Sequence, residues 1–146
     1  MVPLNVKSHF SLMQGVSSPK QLCRAAARMG YGSLALTDVD NLYGMWNFIA
    51  ACQREGLDPI IGAEVSDPTS GNRAVCLVEN DSGYRNLCRL LTRRHTADAF
   101  DLEKDLPARA GGMTVLVRDA GLLAAWHAKG VRVAAEMPVK PLPASH

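Results

Sequence analysis

The chain has 146 residues, 47% of them apolar and 21% charged, with 16 Lys+Arg against 14 Asp+Glu and a formal net charge of +2. That length suits one domain of about 100–200 residues, and the apolar share supports a packed core, which excludes disordered, collagen-like and coiled-coil classes. The near-neutral balance does not mark a nucleic-acid binder, no apolar run approaches the ~20 residues of a membrane span, and the N-terminus lacks a secretory pattern, so a cytoplasmic location is expected.

Pro3 to Ser8 alternates as a short strand, with Leu4 and Val6 on one face. After a turn at Gly15–Ser18, Ser18 is placed to cap a helix whose first position is Pro19, where a missing N–H costs nothing. Leu22, Cys23, Ala26 and Met29 form its apolar stripe, and Gly30 stops it. Ser33 to Asp38 reads as a buried strand. A helix from Gly44 to Glu55, ending at Gly56, is expected to bury Trp46, Ile49, Ala50 and either Cys52 or the stem of Gln53, with Tyr43 and Trp46 as packing residues, and Pro59 to Val65 is the next strand.

Arg73 to Glu79 is a fourth strand. Asp81 or Ser82 is expected to cap a helix carrying Tyr84, Leu87, Cys88 and Leu91 at i, i+3, i+4 and i+7. Asp101 to Ala110 is a polar, weakly helical connector; Met113 to Arg118 a strand; Gly121 to Lys129 a short helix; Val131 to Met137 a sixth strand. Residues 138–146, with three prolines, read as a tail or linker after a domain spanning 1–137. Strands alternating with helices mean an α/β fold with a mostly parallel sheet. Six strands fall short of the eight of a full (β/α) barrel of about 250 residues, so the sheet is either open or part of a barrel.

Cys23, Cys52, Cys76 and Cys88 lack the close pairing of a zinc ribbon or redox motif, and read as small buried hydrophobes. In parallel β/α folds ligands bind beyond the C-terminal strand ends. Three such ends carry polar residues: Asn5, Lys7, Ser8 and His9; Thr37 and Asp38; and Glu64.

The stretches LNVKSHFSLMQG (Leu4–Gly15), LALTDVDNLYG (Leu34–Gly44), PIIGAEV (Pro59–Val65) and ENDSGYRNLCRLLTRRH (Glu79–His95) stand in an order and spacing that resembles the PHP (polymerase and histidinol phosphatase) domain, in the version that opens bacterial replicative and error-prone DNA polymerase III alpha subunits. The resemblance implies a distorted (β/α) barrel with a cluster of metals, zinc or manganese, held by histidines and carboxylates at the strand ends. It also implies ligands where this chain has Asn5, Lys7, Gln14 and Val39; Asp38 stands beside a lost ligand, and only Glu64 keeps its motif position. Asn is a poor ligand, Val is none, and Lys7 puts a cation where a cation must bind. No metal cofactor is therefore expected. Lys7 is expected to pair with Glu64 or Asp38.

The expected function is a catalytically degenerate PHP domain, inactive by itself, in a DNA-directed DNA polymerase (nucleotidyltransferase) serving replication or error-prone synthesis. Its role would be structural, docking the rest of the polymerase or a proofreading exonuclease. The alternatives are a stand-alone metal-dependent phosphoesterase with altered ligands, and an open α/β domain that binds a small ligand. Arg85, Arg89 and Arg93, four apart on one helix and reinforced by Arg73 and Arg94, offer contact with DNA phosphate or an acidic partner, against the plain reading of a solvated face. Apolar surface left where further barrel units would dock predicts self-association. His9, His95 and His127 need no role beyond loop, helix end and surface.

Overall fold

The computed structural model describes residues 2–11 and 14–137. Its elements are α1 (Pro19–Arg28), β1 (Ser33–Val39), α2 (Met45–Glu55), β2 (Asp58–Ser66), β3 (Arg73–Val78), α3 (Asp81–Thr96), α4 (Leu102–Asp105), a 3-10 turn (Pro107–Arg109), β4 (Met113–Val117), α5 (Ala120–Ala128) and β5 (Val133–Ala135). The tail or linker expected at 138–146 lies outside the described residues. Local chemistry sets most boundaries. Ser18 and Gln21 close a capping box around Pro19, Gly56 ends α2 in the left-handed region at φ 71°, and Asp119 caps α5 through the amides of Gly121 and Leu122. α3 begins one residue earlier than expected, because Asn80 accepts the Gly83 amide in place of Asp81 or Ser82.

The five strands form one sheet in sequence order, β1-β2-β3-β4-β5. β1–β2 and β4–β5 pair in parallel, while β3 runs against both neighbours, so four of the five strands point the same way. The reversal follows from the short β2–β3 connection, residues 67–72, too short for a crossover helix. The segment expected as a first strand contributes only a single parallel bridge, Val6 to Leu36, with the Pro3 and Val6 carbonyl oxygens accepting the Ala35 and Thr37 amides of β1.

The two faces of the sheet differ. Leu34, Leu36, Ile61, Ala63, Val65, Ala74, Cys76, Met113, Val115 and Val117 face the helices in two adjoining clusters. The opposite face carries Ala35, Ile60, Val75, Leu77 and Leu116, which pack on one another. Helices on one face only mean a curled, barrel-like sheet, not a doubly wound one. Gly62 lies on the concave side, where a Cβ would come within 2.5 Å of the Cys76 carbonyl oxygen and 3.1 Å of Thr37 and Leu77. The sheet does not close. Among the described residues its two edges meet through a side-chain hydrogen bond, Asn5 Nδ2 to Glu136 Oε1, 2.7 Å.

Helix phase departs from the expected stripes in two places. α2 buries Met45, Phe48, Ala51 and Cys52, while Trp46 and Tyr43 are 73% and 74% exposed. One residue is a 100° rotation on a helix, so starting the buried stripe at Met45 sends Trp46 to the solvent side. α3 buries Gly83, Leu87, Leu90 and Leu91, leaving Tyr84 at the surface and Cys88 half-buried. Cys23, Cys52 and Cys76 are buried free thiols, and burial pushes the Cys76 thiol up to about 12.

Asp67, in the β2–β3 connection, accepts the amides of Thr69, Ser70 and Leu102 at 2.8–2.9 Å. Burial alone would raise its carboxyl; the backbone donors of Ser70, Leu102 and Thr69 outweigh it and hold the pKa below the ordinary 3.8. The unfolded chain therefore takes up this proton first, so the carboxylate's stabilisation is complete above about pH 3.8 and is lost as pH falls through the folded value. Urea midpoints measured from about pH 5 downward should fall for the native chain, and the fall should be shallower for Asp67→Asn.

Candidate functional site

Strand alternation decides which side chains meet at the C-terminal rim of the concave face. Val6 packs on the helix side, so Asn5 and Lys7 point inward, as do Val39 and its register partner Glu64. Continuing around the sheet, Arg73, Arg118 and Glu136 complete the rim. Asn5, Lys7, Gln14, Glu64, Arg73, Arg118, Asp119 and Glu136, with Gly71 and Asn72, line one cleft of about 500 Å3.

Lys7 is the hub. Its Nζ lies 3.1 Å from Glu64 Oε2, with the two side chains only 12% and 11% exposed. It also donates to Asn5 Oδ1, to the Thr37 carbonyl oxygen and, at 3.1 Å, to Thr37 Oγ1. Burial lowers the Lys7 pKa from its ordinary 10.5, opposed by Glu64 first, then by Asp38 and Glu136. Asn5 completes the chain of contacts: its Oδ1 accepts from Thr37 Oγ1 at 2.9 Å, and its Nδ2 donates to Glu136. Arg73 stands 3.7 Å from Glu64 and Arg118 stands 3.5 Å from Glu136.

Asp38 is placed elsewhere. One residue on from inward-facing Thr37, its carboxylate turns to the other face and organises the loop that follows Lys7. It accepts the Ser8 amide and hydroxyl, both at 2.7 Å, and the Ser11 hydroxyl at 2.6 Å. Lys7 therefore pairs with Glu64 and not with Asp38. His9 is exposed and stacks at 4.4 Å on Phe10. His95 meets the Asp40 carbonyl oxygen at 2.5 Å. Among the described residues no three His, Cys, Asp or Glu side chains are grouped as around a metal ion.

The arginine stripe divides. Arg85 and Arg89 are exposed on α3, whereas Arg93 reaches Asp105 at 2.5 Å, Arg94 donates to the Ser66 carbonyl oxygen at 2.7 Å and Arg73 belongs to the cleft. Arg93 and Arg94 are thereby committed to the fold, and Arg73 stands on the rim. Sequence reasoning missed Arg118 and Glu136, although the strand-end rule applied to Met113–Arg118 and Val131–Met137 points to both. No helix among the described residues is long and apolar enough to cross a membrane.

The PHP domain family model matches residues 3–126. The error-prone DNA polymerase of Anaeromyxobacter sp. (strain K) is 41% identical over 101 residues, covering 66% of this chain and 9% of that polymerase. That of Pseudomonas aeruginosa is 38% identical over 127 residues, covering 84% and 11%, and the DNA polymerase III subunit alpha of Treponema pallidum is 37% identical over 107 residues, covering 64% and 9%. The chain thus spans only about a tenth of the length of these curated relatives. Among solved structures, a protein of Bifidobacterium adolescentis described as a metal-dependent phosphoesterase superposes with TM-score 0.67 at 12% identity, over 92% of this chain and 76% of its own. An amidohydrolase of Chromobacterium violaceum, with bound sulfate and no metal, superposes with TM-score 0.66 at 16% identity, over 90% and 75%. At such identities these two likenesses speak for the fold alone. With the family model spanning most of the chain and the curved, helix-backed sheet already in view, the chain belongs to the PHP domain family.

Proposed function

We propose that the chain is a catalytically degenerate PHP module of a bacterial DNA polymerase of the III alpha or error-prone type, serving as a structural and partner-docking domain. The observation that carries this reading is the Lys7 ammonium 3.1 Å from Glu64, the one carboxylate at a motif position. A di- or trinuclear metal cluster needs several imidazoles or carboxylates converging on each ion. Here Asn5 is bonded to Thr37, Lys7 and Glu136, Val39 has no donor atom, and Asp38 is spent on Ser8 and Ser11. This donor set does not fit such a cluster. The fixed cation instead neutralises Glu64 and ties the first segment to β2. The relatives' polymerase names support placing the domain beside the rest of a polymerase chain, with a proofreading exonuclease as a candidate partner. Arg85 and Arg89, exposed on α3, are the residues offered to DNA phosphate or an acidic partner.

Elemental analysis tests the reading. The purified chain, dialysed after exposure to zinc and manganese, should carry well under one equivalent of either and should not hydrolyse phosphate esters. Two or more equivalents retained, with ester hydrolysis that chelators abolish, would favour a metal-dependent phosphoesterase with an altered ligand set, the activity named for the Bifidobacterium structure of like fold.

A further inference from the structure

Cys23 of α1 and Cys52 of α2, 29 residues apart in the chain, meet in the fold with their sulfurs 3.6 Å apart. Both side chains are fully buried and both are free thiols. They sit among Leu34, Leu36, Phe48, Ala51 and Leu57 on the helix side of the sheet, away from the cleft. A disulfide holds its sulfurs at about 2.05 Å, so the thiols stand about 1.5 Å short of bonding distance. An approach of that size is the scale of a side-chain rotation with a small slide of one helix. The two helices are not held equally. α2 buries Met45, Phe48, Ala51 and Cys52, whereas α1 buries only Pro19, Cys23 and Ala26. The ion pair between them, Arg24 with Glu55, is long at 3.9 Å and lies at the surface. An element that buries so little apolar surface opens locally at less cost than the sheet core. When α1 opens, Cys23 is uncovered.

We propose that Cys23 and Cys52 form a reversible dithiol–disulfide pair, oxidised by small-molecule disulfides, which pins α1 to α2. With α1 docked the pair is inert, because burial raises both thiols, Cys52 to about 12, and the thiolate is the reactive form. With α1 lifted, the Cys23 thiol meets water, loses its proton and attacks one sulfur of the small disulfide. A mixed disulfide forms and one small thiolate leaves. The Cys52 thiolate, formed while the adduct still holds α1 off, attacks Cys23 Sγ and expels the second. Two protein thiols are thus oxidised to one disulfide, and the small disulfide is reduced to two thiols that carry the two protons. Opening of α1 gates the reaction, so the pair answers to sustained oxidation and not to brief exposure. The effect reaches the loop that follows Lys7. The Ser17 carbonyl oxygen, beside the Ser18 cap of α1, accepts the His9 amide at 2.8 Å, so fixing α1 fixes that loop.

The test incubates the reduced full chain with oxidised glutathione under native conditions, caps the remaining thiols and maps the peptides by mass spectrometry. A peptide pair joined through Cys23 and Cys52 should form, and dithiothreitol should release it. The oxidised chain should melt about 10 °C higher, since a bridge closing a loop of this length restricts the unfolded chain. Amide exchange along α1 and at His9 should slow about tenfold on oxidation and recover on reduction. Cys52→Ala should leave Cys23 able to form only the glutathione adduct and should abolish the thermal gain, whereas Cys88→Ser should leave bridge and gain unchanged. The peptide map and melting curve of the unsubstituted chain decide by themselves if Cys52→Ala does not fold. A linked peptide that appears only in denaturant would overturn the proposal. So would bridges from Cys23 or Cys52 to Cys76 or Cys88 in equal yield, or a Cys23–Cys52 bridge that leaves the melting temperature and the α1 exchange unchanged.

Discussion

Replacing Lys7 by Met should destabilise the protein by about 3 kcal/mol, the low end of the range for breaking a buried ion pair. The loss leaves Glu64, 11% exposed, without its 3.1 Å partner and removes the ammonium's hydrogen bonds to the Thr37 and Asn5 oxygens. Arg73, at 3.7 Å from the same carboxylate, supplies partial compensation and keeps the effect from being larger. For a chain of this size the melting temperature should fall by on the order of 10 °C. The double variant Lys7→Met, Glu64→Gln should recover much of the loss, since neutralising the orphaned carboxylate removes the main cost. Chemical denaturation of the four proteins of this cycle gives the coupling directly. A Lys7→Met chain with an unchanged urea midpoint would show that the ammonium does not hold the rim together.

The second large effect is expected at Asp38, which reads in the sequence as a residue of the site and stands in the structure as its organiser. Asp38→Ala removes an acceptor of three short bonds, two to Ser8 and one to Ser11. Ser11 Oγ in turn accepts the Val39 amide at 2.9 Å, and Ser8 Oγ accepts the Phe10 amide at 3.2 Å. Bonds to a charged acceptor contribute about 1.5–3 kcal/mol each, and stranded buried donors cost about 1–3 kcal/mol. Allowing for relaxation of the loop, a net loss of about 3 kcal/mol is expected in thermal unfolding. Hydrogen exchange at Ser8, His9 and Phe10 should accelerate more than at β3 or β4, because the loop loses its anchor while the sheet core stays packed. Uniform acceleration across the sheet would instead mean that Asp38 supports the whole fold and not this loop.

Much of this protein was legible from residue order alone. The helix beginning at Ser18–Pro19, the strand positions of Ser33–Asp38, Pro59–Val65 and Met113–Arg118, and the rule that polar residues at strand ends share a rim all rest on local chemistry and periodicity, which act within a few residues. That Asn5, Lys7 and Val39 are not metal-binding residue types is equally plain from residue identity, while the expectation of ligands at those positions is what the family resemblance implies. What only the tertiary structure decided is which of those residues face one another. Alternation cannot be phased until strands pair, and a shift of one residue exchanges the faces; hence Asp38 turned outward to Ser8 and Ser11 while Lys7 turned inward to Glu64. The antiparallel setting of β3 came from a connection too short for a crossover, and it alone brings Arg73 opposite Arg118. Glu136, 131 residues from Asn5 in the chain, is its hydrogen-bond partner because the sheet curls until its edges touch. That curl belongs to the packing of all the strands together, with small Gly62 and Ala35 on the concave side, and no local stretch of sequence encodes it.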